Sequence, residues 1–425
     1  MNPTIKARIE SIRQGGVPEG YKRTKIGIVP NEWGEERLKH YFKRLTRKNS
    51  EKNQNVLTIS AQYGLISQEE FFNKSVASED KSNYFLLNKG DFAYNKSYSS
   101  GYPYGAIKRL EYYEKGIVSP LYICLESLQE KTSDYFVQYF ETGLLNKEIH
   151  AVAQEGARNH GLLNIAVEDF FNSRVVVPKI PEQEKIAEIL AGQDRVIALK
   201  EKLLAEKQKQ KKYLMQQLLT GKKRLPGFSD EWKNIELGKC LKSKNQKELP
   251  SYKAPLMAFV ADKGIVPKGN KYDRSFLVKN LDKQYKRTDY NDFIYSSNNL
   301  DVGSIGLNLF GSAVISDVYE VFCVLNGYVP MIVSKIIKLP KNINKIIRFR
   351  QGVIYGQYRI YAEDFLSVIV SMPCFEEQIA IAEILSTADK EIELLKKDIE
   401  QEKLKKKSLM QLLLTGIVRV DELVS

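Results

Sequence analysis

The sequence predicts an α+β protein: two pseudo-repeated globular domains joined by two long antiparallel coiled-coil helices. Three observations predict this. A motif block recurs at a fixed offset, a heptad stripe follows each copy, and the remaining stretches are short β-branched and aromatic runs punctuated by turn residues.

The repeat sets the domain order. Residues 180–190 read IPEQEKIAEIL and residues 375–385 read FEEQIAIAEIL, an offset of 195. Leu214-Met215-Gln216 and Leu218-Leu219-Thr220-Gly221 match Leu409-Met410-Gln411 and Leu413-Leu414-Thr415-Gly416 at the same offset. A register held over such a length implies one rigid element. Glu168-Asp169-Phe170 matches Glu363-Asp364-Phe365, again at 195. Asp91-Phe92 with Tyr94 matches Asp292-Phe293 with Tyr295 at 201, and Glu32-Trp33 with Leu38 matches Glu231-Trp232 with Leu237 at 199. The offset drifts only through parts read as loops and strands. The expected order is an N-terminal segment 1–29, a domain 30–180, a helix 181–221, a second domain 222–375, a second helix 376–416 and a tail 417–425.

Each helix is read from its apolar spacing. Ile381, Leu385, Ala388, Ile392, Leu395 and Ile399 recur with steps of four and three in alternation, and Leu409 and Leu413 resume the stripe. The first copy offers Ile186, Leu190, Ile197, Leu204, Leu214 and Leu218. Gln193, Lys200, Lys207 and Lys211 in the first copy, and Glu402 and Lys406 in the second, also fall on the seam. A second stripe, Ile189, Val196, Leu199 and Leu203, widens the apolar face enough for more than one neighbour. Gly221 and Gly416 stand where a helix stop is favoured. Residues 182–220 give a helix of ~58 Å at ~1.5 Å per residue. Two such helices in one chain invite antiparallel pairing.

The globular halves carry strand signals at Val56–Ser60, Gly116–Ser119, Ala313–Ser316 and Val368–Val370, with helical texture over 134–149. Their polar aromatic loops are the candidate contact surfaces. Residues 94–109, YNKSYSSGYPYGAIKR, place Tyr94, Asn95, Lys96, Ser97, Tyr98, Tyr102, Tyr104, Lys108 and Arg109 together. A second run holds Arg158, Asn159 and His160. The second half offers Lys271, Arg274, Ser297, Asn298, Asn299, Gln357 and Arg359. Arg and Asn can pair bidentately with base edges, while Lys, Ser and Tyr reach phosphates. Both copies place such loops at matching positions while their sequences diverge, as two different specificities on one scaffold would require.

Composition narrows the function classes. The 425 residues exceed one ordinary domain, and 65 Lys plus Arg against 52 Asp plus Glu leave a net charge of +13. That excess favours a polyanionic partner, nucleic acid first. No run reaches the ~20 apolar residues of a membrane span, and the start has no secretory apolar core, so a cytoplasmic protein without membrane contact is expected. Cys124, Cys240, Cys323 and Cys374 form no CxxC pair and read as buried reduced thiols. The three histidines are scattered, so no metal site is expected. There is no GxxxxGK[ST] phosphate loop, no GxGxxG after a strand, no Asn-Pro-Pro-aromatic tetrapeptide and no deaminase cluster, so no catalytic residue is assigned.

These residues carry a family resemblance. IGIVPNEW at 26–33, the loop at 94–109, ARNHGLLNI at 157–165, and the pairs KIPEQEKIAEIL with LMQQLLTG and FEEQIAIAEIL with LMQLLLTG resemble a type I restriction-modification specificity subunit over essentially the whole chain. Glu376 replaces Pro181 in the second copy. The resemblance implies two target-recognition domains, each reading half of a split, asymmetric site in double-stranded DNA, with the paired helices setting the spacing. It implies partners: two methyltransferase subunits and restriction/translocase subunits. It implies no cofactor on this chain, with S-adenosylmethionine, ATP and Mg on the partners. Half-sites one turn apart lie ~34–36 Å apart, within reach of ~58 Å helices. The alternatives are a scaffold or adaptor without DNA recognition, a binder of structured RNA, and a self-contained modification enzyme, the last opposed by the missing motifs.

Overall fold

The computed structural model describes residues 3–60, 63–72, 80–99, 101–155, 163–260, 264–267, 283–296, 304–354 and 357–424. The chain forms two compact units, Met1–Glu201 with Asp398–Ser425, and Lys202–Lys397. The boundaries, Glu201/Lys202 and Lys397/Asp398, fall within the two long helices, so each helix contributes residues to both units.

Each unit contains a four-stranded antiparallel sheet. In the first the order is Phe42–Leu45, Ile123–Ser127, Phe92–Asn95, Ala106–Arg109. In the second it is Leu241–Ser243, Tyr319–Val324, Phe293–Ser296, Ile305–Leu307, strand for strand the same. The motif Asp-Phe-x-Tyr explains the shared centre. Asp91 Oδ2 accepts the Asn88 N–H at 2.7 Å, and Asp292 Oδ2 accepts that of Asp289 at 2.7 Å, which fixes the turn before the strand. Phe and Tyr, two residues apart, then share one face and enter the main core. Tyr94 stacks on Phe170 at 5.0 Å, and Tyr295 meets Phe365 at 4.5 Å. The repeated Glu-Asp-Phe motif thus supplies the partner ring of the repeated Tyr.

A helix covers each sheet. Glu130–Glu141 buries Tyr135, Phe136, Tyr139 and Phe140; Pro330–Ile337 buries Ile332, Val333, Ile336 and Ile337. Both sets follow the i, i+1, i+4, i+5 spacing of one helix face. The helical texture over 134–149 resolves into two helices, Glu130–Glu141 and Asn146–Val152, with Gly143 at φ +73° between them. The thiols also differ from expectation. Cys124 and Cys240 are buried, which pushes each up to about 12, but Cys323 is half-buried and Cys374 exposed.

The long helices run Ile180–Leu218 and Phe375–Leu413. Their starts are locked alike: Gln183 Nε2 donates to the Pro178 carbonyl at 2.8 Å, and Gln378 Nε2 to that of Pro373 at 2.9 Å. Their ends are also alike. Gly221 has φ +70° and Gly416 φ +69°, and the N–H groups of Lys223 and Val418 reach back to the carbonyls of Gln217 and Leu412.

Within unit 1, Ile186 and Leu190 share a core with Met410, Leu413 and Leu414; beyond them Lys406 pairs with Asp194 at 2.6 Å, and Lys200 with Asp398 at 2.8 Å. Within unit 2, Leu218 and Leu219 share a core with Ile381 and Leu385; Lys207 pairs with Glu391 at 2.8 Å, and Lys211 with Asp389. In each unit partner numbers fall on one helix as they rise on the other, so the pairing is antiparallel. Ile197 and Ile399 are buried, while Leu204, Leu214, Ile392, Leu395 and Leu409 are half-buried. The seam is therefore apolar towards the helix ends, and along the intervening stretch ion pairs alternate with apolar positions such as Ile197 and Ile399. Gln193 fits the ionic part, donating to Glu402 Oε2 at 2.6 Å.

One clasp closes each unit. Arg419 grips Glu182 bidentately at 2.7 and 2.9 Å, and Trp33 Nε1 donates to the same carboxylate at 3.3 Å. Arg224 grips Glu377 at 2.8 and 2.8 Å, and Trp232 Nε1 donates to it at 3.0 Å. In unit 1 the N-terminal segment joins the tail as well: Arg8 holds Glu422 at 2.9 and 2.8 Å, and the Tyr21 hydroxyl donates to the Gly416 carbonyl at 2.7 Å.

Two predictions test this closure. Gly416→Ala puts a Cβ 2.5 Å from Pro30 and 3.2 Å from Trp33, whereas Gly221→Ala meets Trp232 at 3.4 Å. Both glycines share the same backbone strain, so Gly416→Ala should lower the urea unfolding midpoint by more, with a total cost of about 1–3 kcal/mol. Equal costs would show that the contact is unimportant. Second, the Arg8 hydrogen bonds hold the Glu422 carboxyl below its usual range. A depressed folded pKa gives stability that is present above the unfolded value, roughly 4.3, and lost as pH falls below it. The stability gap between wild type and Glu422→Gln should close as pH is lowered from 6 to 3.

Candidate nucleic-acid interface

The loop after the central strand of unit 1 is braced from below. The Tyr94 hydroxyl donates to the Tyr104 carbonyl at 2.6 Å. Gly105, at φ +79°, turns the chain where a Cβ would strike the Tyr94 ring at 2.8 Å. Ser99 and Tyr102 exchange backbone hydrogen bonds at 3.3 and 2.8 Å, making a tight hairpin tip. The Lys96 carbonyl accepts the Leu163 N–H at 3.1 Å. The Asn95 carboxamide oxygen accepts the Ser97 N–H at 3.1 Å.

This geometry sorts the residues singled out by sequence. Tyr94 is a correction: it is fully buried, a core ring and not a surface contact, and burial raises its phenol well above the ordinary value. Lys108 and Arg109 are corrections of a second kind. Lys108, only 11% exposed, is held by Glu141 at 2.5 Å and donates to the Tyr102 hydroxyl at 3.1 Å. Tyr102 also donates to Glu141 at 2.5 Å, so all three are committed to bracing the loop. Arg109 is taken by Glu111 and Asp134, both at 2.7 Å, and by Ser133 at 2.8 Å. Their positive charge is neutralised inside the unit. Tyr104 packs on the core and its hydroxyl lies 3.2 Å from His150 Nδ1.

What the loop presents outward is Tyr98, 66% exposed, beside the half-exposed Asn95, Lys96 and Ser97. An ammonium, a hydroxyl, an amide and an aromatic ring on a braced hairpin can contact phosphate and base together. In unit 2, Arg359 is 48% exposed, lies over the Tyr361 ring at 5.0 Å and approaches Glu320 at 3.5 Å. Gln357 belongs to the strand Gln357–Arg359, and its side chain lies outside the described residues. Arg158, Asn159, His160, Lys271, Arg274, Ser297, Asn298 and Asn299 also lie outside them. Among the described residues no group of three or more His, Cys, Asp or Glu is arranged to hold a metal, and no helix is long and apolar enough to cross a membrane.

Sequence reading missed two things. The clasp arginines, Arg224 and Arg419, share the offset of 195, and extending the repeat three residues past Gly221 and Gly416 finds them. Tyr361, the platform under Arg359, left no comparable signal.

A frame repeated twice, bearing loops that differ, defines a class of two-unit recognition scaffold. Comparison with known proteins sharpens this. No family model matches the chain. The chain is 26% identical to the type I restriction enzyme MjaX specificity subunit named in Methanocaldococcus jannaschii, over 95% of this chain and 97% of that one. It is 24% identical to the MjaVIII specificity subunit of the same organism, over 73% and 76%. The fold matches the HsdS subunit from Thermoanaerobacter tengcongensis at a TM-score of 0.52, with 16% identity and coverage of 92% and 98%. It matches a chain from a structure on assembly and conformational transition of the type I R-M system at 0.55, with 15% identity and coverage of 92% and 99%. By sequence and by fold, the relatives of this chain are type I restriction specificity subunits, as its motifs indicated.

The sorting of the loop is testable. Tyr98→Ala should weaken duplex binding by ~1–3 kcal/mol. Tyr94→Phe should lose about 1 kcal/mol of stability and leave the preferred DNA sequence unchanged. A Tyr94→Phe variant with altered sequence preference would return Tyr94 to the contact set.

Proposed function

We propose that this chain is the non-catalytic DNA-specificity subunit of a type I restriction-modification complex, with each unit reading one half of a split, asymmetric site. The observation that carries this is the division between repeated and divergent residues. The repeated ones, Trp33/Trp232, Phe92/Phe293, Tyr94/Tyr295, Phe170/Phe365 and Glu182/Glu377, build core and clasp. The loops are not repeated: YNKSYSSGYPYGAIKR at 94–109 has no sequence counterpart after Tyr295. Two unlike reading heads on one frame fit two unlike half-sites, and a net charge of +13 fits a phosphate backbone.

Two methyltransferase subunits and the restriction/translocase subunits are the proposed partners, and the complex is cytoplasmic. S-adenosylmethionine, ATP and magnesium belong to those partners. The long helices have room for them: unit 1 leaves Val196, Leu199 and Leu404 exposed, and unit 2 leaves Leu203 and Leu394 exposed. Exposed leucines at helical spacing suit partner helices. The adaptor and structured-RNA readings have no observation of their own in favour.

The experiment is to co-express the chain with its partner methyltransferase in a host lacking other methylation and to map modified adenines across the genome. The expected result is one motif with two unlike halves and a fixed gap. A stable complex whose DNA binding is insensitive to salt and sequence would overturn the proposal.

A further inference from the structure

Unit 2 holds a cavity of about 620 Å³ between its helix pair and the turn joining Pro330–Ile337 to Pro340–Ile347. Lys211 and Lys212 line it from the first long helix, Lys396 from the second, and Lys335 and Lys338 from the turn side. Asp389 is the one carboxylate in the lining, and Lys211 already pairs with it. Lys335 stands out. It is half-buried, and its ammonium has no ion pair or hydrogen bond among the described residues. Burial, and then the Lys211 charge, push its pKa down. Met215, Leu219, Leu339 and Ile392 form the apolar part of the wall. Ammonium groups gathered against such a wall repel one another more strongly than in water.

The sister unit shows that the scaffold does not need these lysines. Along the long helices the offset of 195 places Glu201 where Lys396 stands, and Asp194 where Asp389 stands. On the short helix the sheet register (Leu125 on Phe92, Phe322 on Phe293) gives an offset of 197. That offset places Gln138 and Glu141 at the positions of Lys335 and Lys338. There, Gln138 Nε2 donates to Asp194 at 3.0 Å and Lys406 pairs with Asp194 at 2.6 Å, so the charge is balanced. At the matching positions acids outnumber bases in one copy, while the other is strongly positive.

We propose that this cavity is a binding site for phosphoryl anions, sized for a compact oligophosphate. Its volume is within the range of small-ligand sites, ~300–1,000 Å³. A multiply charged, compact anion is what several convergent ammonium groups stabilise, whether it is a free oligophosphate or part of a nucleic-acid backbone. The site does not rest on the target-reading proposal: loss of sequence recognition would leave it intact.

The test titrates sodium tripolyphosphate into the full chain by calorimetry at low salt. Three proteins are compared. One is wild type. One carries the sister unit's own residues, Lys335→Gln, Lys338→Glu and Lys396→Glu. The third carries the same charge change on exposed positions of unit 2, Lys239→Gln, Lys242→Glu and Lys253→Glu. Saturable binding to wild type, a loss of about tenfold or more in the sister exchange, corresponding to ~1.4 kcal/mol, and near-wild-type binding in the third are expected. No saturable binding to wild type, or equal losses in both variants, would overturn the site. Should the exchange fail to fold, Lys335→Met, which removes one half-buried charge, must still weaken binding severalfold. A repeat in the presence of a random duplex separates the sources: displacement of tripolyphosphate assigns the site to backbone phosphate, and an unchanged titration assigns it to a free oligophosphate.

Discussion

A single carboxylate in each unit bears the closure of this fold. Glu182 and Glu377 each accept a bidentate arginine and an indole N–H, so one side chain joins the start of one long helix, the segment following the other, and the globular part. Glu377 is almost fully buried. A buried carboxylate is tolerable only when its oxygens are satisfied, and removing one partner leaves an uncompensated charge. The clasp is therefore a condition of closure and not an ornament of it. It also explains why tryptophan, arginine and glutamate recur together in both copies: none of the three can change alone.

The rest of the frame follows from closure. Once the helix starts are held, Gln183 and Gln378 fix their direction, and glycines in the left-handed region end them next to the tryptophans. The ionic stretches of the seam, such as Lys200 with Asp398 and Lys207 with Glu391, add little energy where they are solvated. Their value is register. A slip by one heptad would leave lysine facing apolar positions, whereas an all-leucine seam would tolerate it. The polar seam positions that weaken a simple coiled-coil reading thus specify which antiparallel pairing forms.

Electrostatics divides the same way. Lys108 and Arg109 end a basic aromatic stretch of sequence, yet acids from the neighbouring helix pair with both. Lys335, which no motif marked, carries a half-buried charge without a partner among the described residues. Positive charge in a loop sequence is therefore a poor guide to charge available at the surface. What decides it is the carboxylate that folding brings alongside.

The sequence by itself determined the repeat, the long helices with their glycine ends, the apolar seam and the family resemblance. Each is a periodic or local property, and periodicity survives in one dimension. It could not determine that Tyr94 is a core ring, that Glu141 captures Lys108, or that lysines from three elements converge in unit 2. Those depend on which distant segments pack together, and the pairing of acids with bases across more than 30 residues has no signature along the chain. The clasp lies between the two cases. Its glutamates, tryptophans and arginines all repeat in sequence, but only the tertiary structure shows that they meet at one carboxylate.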